Sequence, residues 1–171
     1  KILLIGPGKG SVEEISKIQE FSRQENVVPI SVNFVYEYVE PQFIFFSNIR
    51  RFKDLPEHYR KKCIVTSNIP AEGIYYQTKY KDLLNSEEAV KDNAGLMAIK
   101  FLSEQSVDSI YLAGFDGYSH DVGENYGSSD MAFITRNIIL DAMNSGMCEV
   151  LKKYKDEEVI VFLTAPKHIT I

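Results

Sequence analysis

The sequence predicts an α/β domain in which a mostly parallel sheet of about six strands is covered by helices on both faces. Two observations predict this class. Short apolar runs alternate along the chain with longer stretches in which apolar residues recur at helical spacing. The short runs are apolar throughout, as is typical of strands buried on both faces of a parallel sheet. The expected architecture is a three-layer, doubly wound, Rossmann-like fold.

The composition is that of one globular domain. The chain has 171 residues, of which 44% are hydrophobic and 25% charged, and a chain of this size can bury a substantial core. No repeat, low-complexity segment or Pro/Gly-rich linker divides it, so we interpret residues 1–171 as a single domain. Because a strand is predicted directly at Lys1, where no Met stands, we expect a fragment of a longer chain.

Charge and cysteine usage exclude several classes of protein. The net charge of -5 argues against nucleic-acid binding. No apolar run approaches the roughly 18 residues of a membrane helix, so we expect no membrane partner. Cys63 and Cys148 stand far apart without metal-ligand spacing, which argues against a zinc site and favours the reducing cytoplasm. Cys63 lies in an apolar run and is expected in the core.

The first predicted elements are two strands separated by a helix. Lys1–Ile5 forms the first strand, and Ser11–Glu20 forms a helix with a serine cap and an acidic first turn. Val27–Val32 forms the second strand, where Pro29 lacks a ladder donor and indicates an irregular or edge position. Gln42–Phe46 forms the third strand.

The middle of the chain contains the clearest helical pattern. A short helix is expected around Pro56–Lys61, and Cys63–Thr66 forms the fourth strand. Gly73–Tyr80 is either an edge strand or part of a lid. Ser86–Gln105 is predicted as a long helix. Its expected inward stripe consists of Val90, Ala94, Met97 and Phe101.

The last third of the chain completes the sheet. Ser109–Ala113 forms the fifth strand, Asp130–Tyr154 a long helix with a potential break at Gly146, and Val159–Leu163 the sixth strand. The order of the strands within the sheet does not follow from the pattern.

Polar residues follow almost every predicted strand. In parallel sheets, ligands bind outside the carboxyl ends of the strands. Asn33, Asn48 and Asn68 lie at three of these ends, and each amide can both donate and accept hydrogen bonds. Together they favour a sugar- or nucleobase-sized polar ligand. The alternative is that these residues only make turns and helix caps.

The segment GPGKGS follows the first strand and precedes a helix, where backbone amides and the helix dipole favour an anion. It matches neither the Walker pattern nor the dinucleotide GxGxxG pattern, and Pro7 removes one backbone donor. Gly6, Gly8, Lys9 and Ser11 are nevertheless candidates for holding the anionic part of a ligand. The alternative is a plain tight turn.

Two further segments carry candidate ligand contacts. Arg50 or Arg51, beyond the third strand, could clamp a phosphate or a carboxylate, or could lie on a solvated basic helix face. Asn93 lies in the segment DNAGLM, in a half of the predicted helix that approaches the ligand edge. Its amide either reaches the site or fixes a neighbouring loop.

The segment from Ala113 to Asp130 is a long polar loop, and such loops are usually functional or mobile. Asp116 is a candidate hydrogen-bond partner for a sugar or base. Tyr118 and His120 are the only candidate proton-transfer pair near the edge, although an exposed loop histidine is the simpler interpretation of His120. Asp116 and Glu124 do not have a convincing metal-site spacing, so no metal is predicted.

Three segments together resemble a known family. GPGKGS, SVNF and YLAGFDGYS, after strands one, two and five, are similar to the Rossmann-like C-terminal domain of 4-hydroxy-2-oxovalerate aldolase-like proteins. The resemblance covers nearly the whole chain, including DNAGLM and VFLTAPKHITI. A remoter similarity is to bacterial sialyltransferases and pterin-diphosphokinase-like domains. Gly6, Gly8 and Asn33 match the cytidine-nucleotide-binding positions of the sialyltransferases, while Pro7 replaces their loop asparagine.

The resemblance implies an accessory domain that binds a nucleotide or nucleotide-sugar-like anion beside an aldolase-type barrel of the same parent chain. This domain lacks the HxH pair of such barrels, since His58, His120 and His168 are isolated, so the lyase chemistry would lie outside it. One alternative is a glycosyl- or phosphoryl-transferase with His120 or Tyr118 as base. Another is a non-catalytic assembly domain with a degenerate site; a homo-oligomer is compatible with all three.

Overall fold

The fold is an α/β sandwich around one seven-stranded parallel sheet. The computed structural model describes all 171 residues. The strands are β1 (Ile2–Ile5), β2 (Val28–Val32), β3 (Phe43–Phe46), β4 (Cys63–Thr66), β5 (Tyr76–Thr78), β6 (Ile110–Ala113) and β7 (Ile160–Phe162). Their order is β5-β4-β3-β2-β1-β6-β7, and every neighbouring pair is parallel. The predicted doubly wound α/β class is confirmed, with one strand more than expected.

Five α-helices connect these strands. They are α1 (Gly10–Glu13), α2 (Ile15–Ser22), α3 (Ile49–Lys53), α4 (Ala94–Ser103) and α5 (Asn137–Asp156). Short 3-10 turns lie at Glu57–Lys62, Tyr80–Leu83, Glu88–Val90, Val122–Glu124 and Ser129–Met131. None of the helices is both long enough and apolar enough to span a membrane.

Alternating residues of the central strands bury opposite faces of the sheet. Leu4 belongs to a cluster of 20 buried residues that α4 and α5 cover. Leu3 and Ile5 belong to the opposite face, with Ile18 of α2. All three strand residues are at most 1% exposed. Both faces of the sheet are therefore shielded from solvent, which explains why the strand sequences are apolar throughout.

Several predicted boundaries are wrong. The helix predicted over Ser86–Gln105 begins only at α4, and Val90 lies in a separate 3-10 turn before it. Of the predicted inward stripe, Met97 is fully buried on α4, but Ala94 and Phe101 are only partly buried. The buried face of α4 consists of Leu96, Met97, Ala98, Ile99 and Leu102.

The long helix of the last third begins at Asn137, later than predicted, and it continues through Gly146. A Cβ at Gly146 would lie 2.9 Å from Cγ2 of Val90. The glycine therefore permits a close contact between α5 and the turn before α4, and it does not break the helix. The helix predicted over Ser11–Glu20 is instead divided, because α1 ends at Glu13 and α2 begins at Ile15.

Pro29 lies in β2, in the middle of the sheet, so of the two predicted alternatives, an irregular strand or an edge position, the edge position is wrong. Its carbonyl accepts a hydrogen bond from the Gln42 N–H, on the side of β3. The paired residues of β3 begin only at Phe43. An N–H at position 29 would therefore face the segment before β3, where it would have no strand partner. The Gly73–Tyr80 segment does form an edge strand, β5. Cys63 is fully buried, as predicted.

Candidate functional site

A cavity of about 680 Å³ opens at the carboxyl ends of the strands. Strands β2 to β5 lie on one side of β1, and β6 and β7 lie on the other. The connections after β1 and β6 consequently diverge, and such a reversal of strand order is where doubly wound sheets bind ligands. The walls come from the strand ends, from α3, from the start of α4 and from the loop after β6.

Four backbone N–H groups of the GPGKGS turn, those of Gly6, Gly8, Gly10 and Ser11, are bonded within the protein. The Gly6 and Gly8 N–H groups donate to the carbonyls of Ala113 and Gly114, and the Ser11 N–H donates to Gly8. A Cβ at Gly8 would lie 2.4 Å from the Gly114 carbonyl oxygen, so only glycine fits at this contact. Gly6 and Gly8 line the cavity, but they join two loops and offer no free amide to an anion.

Asp116 takes the place that an anion would occupy at this turn. Its Oδ2 accepts a hydrogen bond of 2.8 Å from the Gly10 N–H, at the start of α1. The residue is 2% exposed, and its Oδ1 has no hydrogen-bond partner. Burial raises the pKa of this carboxyl above its ordinary value, although the Gly10 hydrogen bond opposes the shift.

Lys9 and Ser11 do not line the cavity. The Lys9 ammonium lies 3.0 Å from Glu124 Oε1 and also donates to the Gly123 carbonyl. The Ser11 hydroxyl donates to the Gly8 carbonyl at 2.7 Å, and its own carbonyl accepts from the Tyr36 hydroxyl. Both residues stabilise the turn and its neighbouring loop in this structure.

Three side chains at the ends of β2 and β3 keep free donors in the cavity. Asn33, with a positive φ of 62°, uses its Oδ1 to accept from the Ser47 and Asn48 N–H groups. Asn48 uses its Oδ1 to cap α3, accepting from the Arg50 and Arg51 N–H groups. Neither side-chain NH₂ group nor the Arg50 guanidinium donates to another protein group. We call Asn33, Asn48 and Arg50, which all line the cavity, the donor cluster.

Asn68 and Asn93 also line the cavity, but their amides are bonded within the protein. The Asn68 NH₂ donates to the Ser47 carbonyl, and its Oδ1 accepts from the Thr66 hydroxyl. The Asn93 Oδ1 caps α4 by accepting from the Leu96 N–H, and its NH₂ donates to the Tyr118 hydroxyl at 3.2 Å. These two residues shape the wall.

The start of α4 adds donors that the sequence analysis missed. Ala94 and Gly95 line the cavity, and neither N–H has a partner, as is usual in the first turn of a helix. A Cβ at Gly95 would lie 2.7 Å from Cε1 of Phe115, so the glycine lets the helix start approach the loop after β6. The sequence signal was the capping Asn93 directly followed by Ala-Gly.

The loop after β6 lines one wall of the cavity and reaches α3. We call residues 119–133 the strap. Phe133 packs against Tyr118 and Tyr126, with ring centroids 5.8 and 6.0 Å apart, respectively. Arg51 of α3 donates from its two terminal nitrogens to the carbonyls of Asp130 and Met131. The strap thus contacts both sides of the cavity, a feature that the loop sequence alone did not predict.

The predicted proton-transfer pair is not brought together. Tyr118 lines the cavity, and burial raises the pKa of its hydroxyl. His120 is exposed and does not line the cavity; its Nε2 lies 2.7 Å from Asp141 Oδ1 at the surface. No group of three or more His, Cys, Asp or Glu side chains is arranged to hold a metal ion.

The lining contains charged residues of both signs. Two arginines and four aspartates contribute to the walls; these are Arg50, Arg51, Asp54, Asp92, Asp116 and Asp130. Asp92 lies two residues before Ala94, and Asp54 is the C-cap residue of α3, so the donor cluster, which includes the Arg50 guanidinium, is the part of the lining that favours an anionic group.

No protein-family model, curated protein or solved structure matches this chain. The resemblance to aldolase-associated domains and to sialyltransferases therefore stays a prediction.

Proposed function

We propose that this domain binds a small ligand with an anionic, acceptor-rich group, of the nucleotide or nucleotide-sugar type, in the cavity at the strand ends. The observation that carries the proposal is the donor cluster. Asn33, Asn48 and Arg50 expose donors without protein acceptors to a cavity of about 680 Å³, which lies within the usual range for small-molecule sites.

The donor cluster favours an acceptor-rich group because both asparagines use their oxygens on backbone amides. What remains exposed is a set of donors, to which phosphate or carboxylate oxygens are complementary. The sugar or base would then extend toward Asn93 and Tyr118, beneath the strap. Asp116, which we predicted as a direct partner of the ligand, more simply supports the turn after β1.

Binding without turnover fits these residues better than transfer chemistry. A general base must lie within hydrogen-bond reach of the proton that it removes. His120 lies outside the cavity, and burial of Tyr118 disfavours its ionised form. The role beside an aldolase-type barrel rests on the resemblance alone, and an upstream barrel in the parent chain would support it.

Thermal unfolding with ligand probes tests the proposal. We would add CMP, UMP, UDP-glucose and inorganic phosphate, each at millimolar concentration, and cytidine as the uncharged counterpart of CMP. A ligand that binds the native state at about 100 times its Kd adds about 2.7 kcal/mol of stability. We expect at least one nucleotide to raise the Tm and cytidine to have a much smaller effect.

Variants on α3 locate the anion. Arg50→Gln should weaken nucleotide binding about tenfold or more, since it removes a charge-assisted hydrogen bond. Lys53→Gln is the matched control, because Lys53 is an exposed residue of the same helix that does not line the cavity. No stabilisation by any probe, or equal affinities in the two variants, would overturn the proposal.

A further inference from the structure

The strap is held unevenly along its length. Its first half is tied by the Gly127 N–H, which donates to the Pro7 carbonyl at 3.0 Å, and by the Lys9–Glu124 ion pair. Its second half, residues 128–133, forms hydrogen bonds to another part of the chain only through Arg51. The ring of Phe133 adds apolar contacts with Tyr118 and Tyr126.

Arg51 has the geometry of a two-pronged contact. Its Nη1 donates to the Asp130 carbonyl at 2.8 Å, and its Nη2 donates to the Met131 carbonyl at 3.0 Å. A planar guanidinium can hold two neighbouring acceptors at once, which a lysine ammonium cannot match. Arg51 stands on α3 beside the donor cluster, so this contact joins the β3 side of the cavity to a loop that begins at β6.

We propose that Arg51 is a positioning residue that holds the strap closed over the cavity. The guanidinium has five N–H donors, and its contacts to the strap leave some of them free to face a ligand at the donor cluster. The contact to the strap and the contact to the ligand can therefore exist together. If closure also places Arg51 against the ligand, an anionic ligand and a closed strap favour one another.

The holding role does not depend on any ligand, whereas its effect on ligand retention rests on the proposed function. Without Arg51, residues 128–133 lose every hydrogen bond to the rest of the chain, and only the contacts of Phe133 and its neighbours oppose opening. We expect opening to increase access to the start of α4, which lines the same cavity as the strap.

Access of a thiol reagent to the cavity measures the opening without ligand. The reporter is Ala94→Cys, because Ala94 lines the cavity. It is placed in a Cys148→Ala background, since Cys148 is only partly buried. Cys63 can stay, because it is fully buried and burial raises the pKa of its thiol to about 12. A maleimide is the reagent, and the rate of alkylation is the readout.

We expect Arg51→Gln to raise the alkylation rate of the reporter about tenfold or more, and Lys53→Gln, which removes the same charge from α3, to leave it unchanged. Arg51→Lys should give an intermediate rate, and it keeps the test available if the glutamine variant does not fold. Equal rates in the Arg51 variants and in Lys53→Gln would overturn the proposal.

The two proposals can fail separately. If Arg51→Gln opens the strap but no nucleotide stabilises the protein, the proposed function fails and the holding role stands. If nucleotides bind while alkylation is insensitive to Arg51, the holding role fails alone. If both stand, Arg51→Gln should also shorten the residence time of the bound nucleotide, measured by stopped-flow displacement.

Discussion

In the turn after β1, a single side chain determines whether the glycine-rich segment can bind an anion. A helix start with free amides attracts an anion, but here the carboxylate of Asp116 already accepts from the Gly10 N–H. A protein carboxylate fixed at this position meets an incoming phosphate with like charge. The glycines allow close packing between the two loops, since a Cβ at Gly8 would lie 2.4 Å from the Gly114 carbonyl oxygen.

Asp116→Asn is expected to remove part of the pH dependence of the free energy of unfolding. Burial raises the folded-state pKa of Asp116 above 3.8, so the folded chain holds this proton more tightly than the unfolded chain. The resulting stabilisation is fully present below about pH 3.8 and is lost as the pH rises through the folded-state pKa. In the asparagine variant this loss is absent.

Urea unfolding of both proteins at several values from about pH 3 to about pH 7 measures this difference. The asparagine keeps an oxygen that can accept from the Gly10 N–H, so the turn retains its hydrogen bond. Asp108→Asn, which changes an exposed carboxylate, serves as the control. Parallel pH profiles for the wild type and Asp116→Asn would show that this carboxyl is not the source.

At the scale of elements, strands were predictable and helix ends were not. The predicted strand Cys63–Thr66 has the same bounds as β4. A strand that is buried on both faces requires an apolar or small residue at every position, so its sequence shows where it begins and ends. The helix predicted from Ser86 begins instead at α4. Val90 is buried in a 3-10 turn that precedes the helix, and its spacing from Ala94 happens to match the helical period. The observed start of α4 is indicated in the sequence only by the capping residue Asn93.

Asn93→Ala should therefore lower the free energy of unfolding by at least about 1 kcal/mol, the usual cost of losing a capping side chain, since it also removes the hydrogen bond to the Tyr118 hydroxyl. Asn93→Asp should cost less, since a carboxylate still accepts from the Leu96 N–H and favours the positive end of the helix. Asn137→Ala is the control, because Asn137 begins α5 without any side-chain hydrogen bond. Equal losses for the two alanine variants, measured in urea, would rule out the capping role.

At the scale of the molecule, the sequence predicted the fold class. It did not predict the order of the strands or which side chains in the cavity keep unbonded donors. The polar residues that end the strands do gather around one cavity, as with Asn33, Asn48 and Asn68. Whether a side-chain NH₂ group is free depends on residues far away in the sequence. The Asn68 NH₂ donates to the Ser47 carbonyl, 21 residues away, whereas the Asn33 NH₂ has no partner. Such pairings depend on the three-dimensional packing, which a single sequence does not specify locally.

The same packing predicts an unequal stability of the two edges of the sheet. Strands β5 and β7 both have three residues and lie at opposite edges. Tyr76 of β5 is 52% exposed, whereas Ile160 of β7 is 3% exposed and belongs to the main core cluster beneath α5. If edge position alone governed local opening, both strands would exchange their amides equally fast. If burial in the core governs it, β7 resists opening and β5 does not.

We expect burial to govern. In native-state hydrogen exchange at increasing denaturant, the ladder amides of β5 should exchange through local opening, with little dependence on denaturant. Those of β7 should approach the behaviour of β1, the central strand bonded to both β2 and β6, whose amides should exchange only on global unfolding. Equal protection of β5 and β7 would contradict this expectation, because the main core would then confer no protection beyond that of the ladder itself.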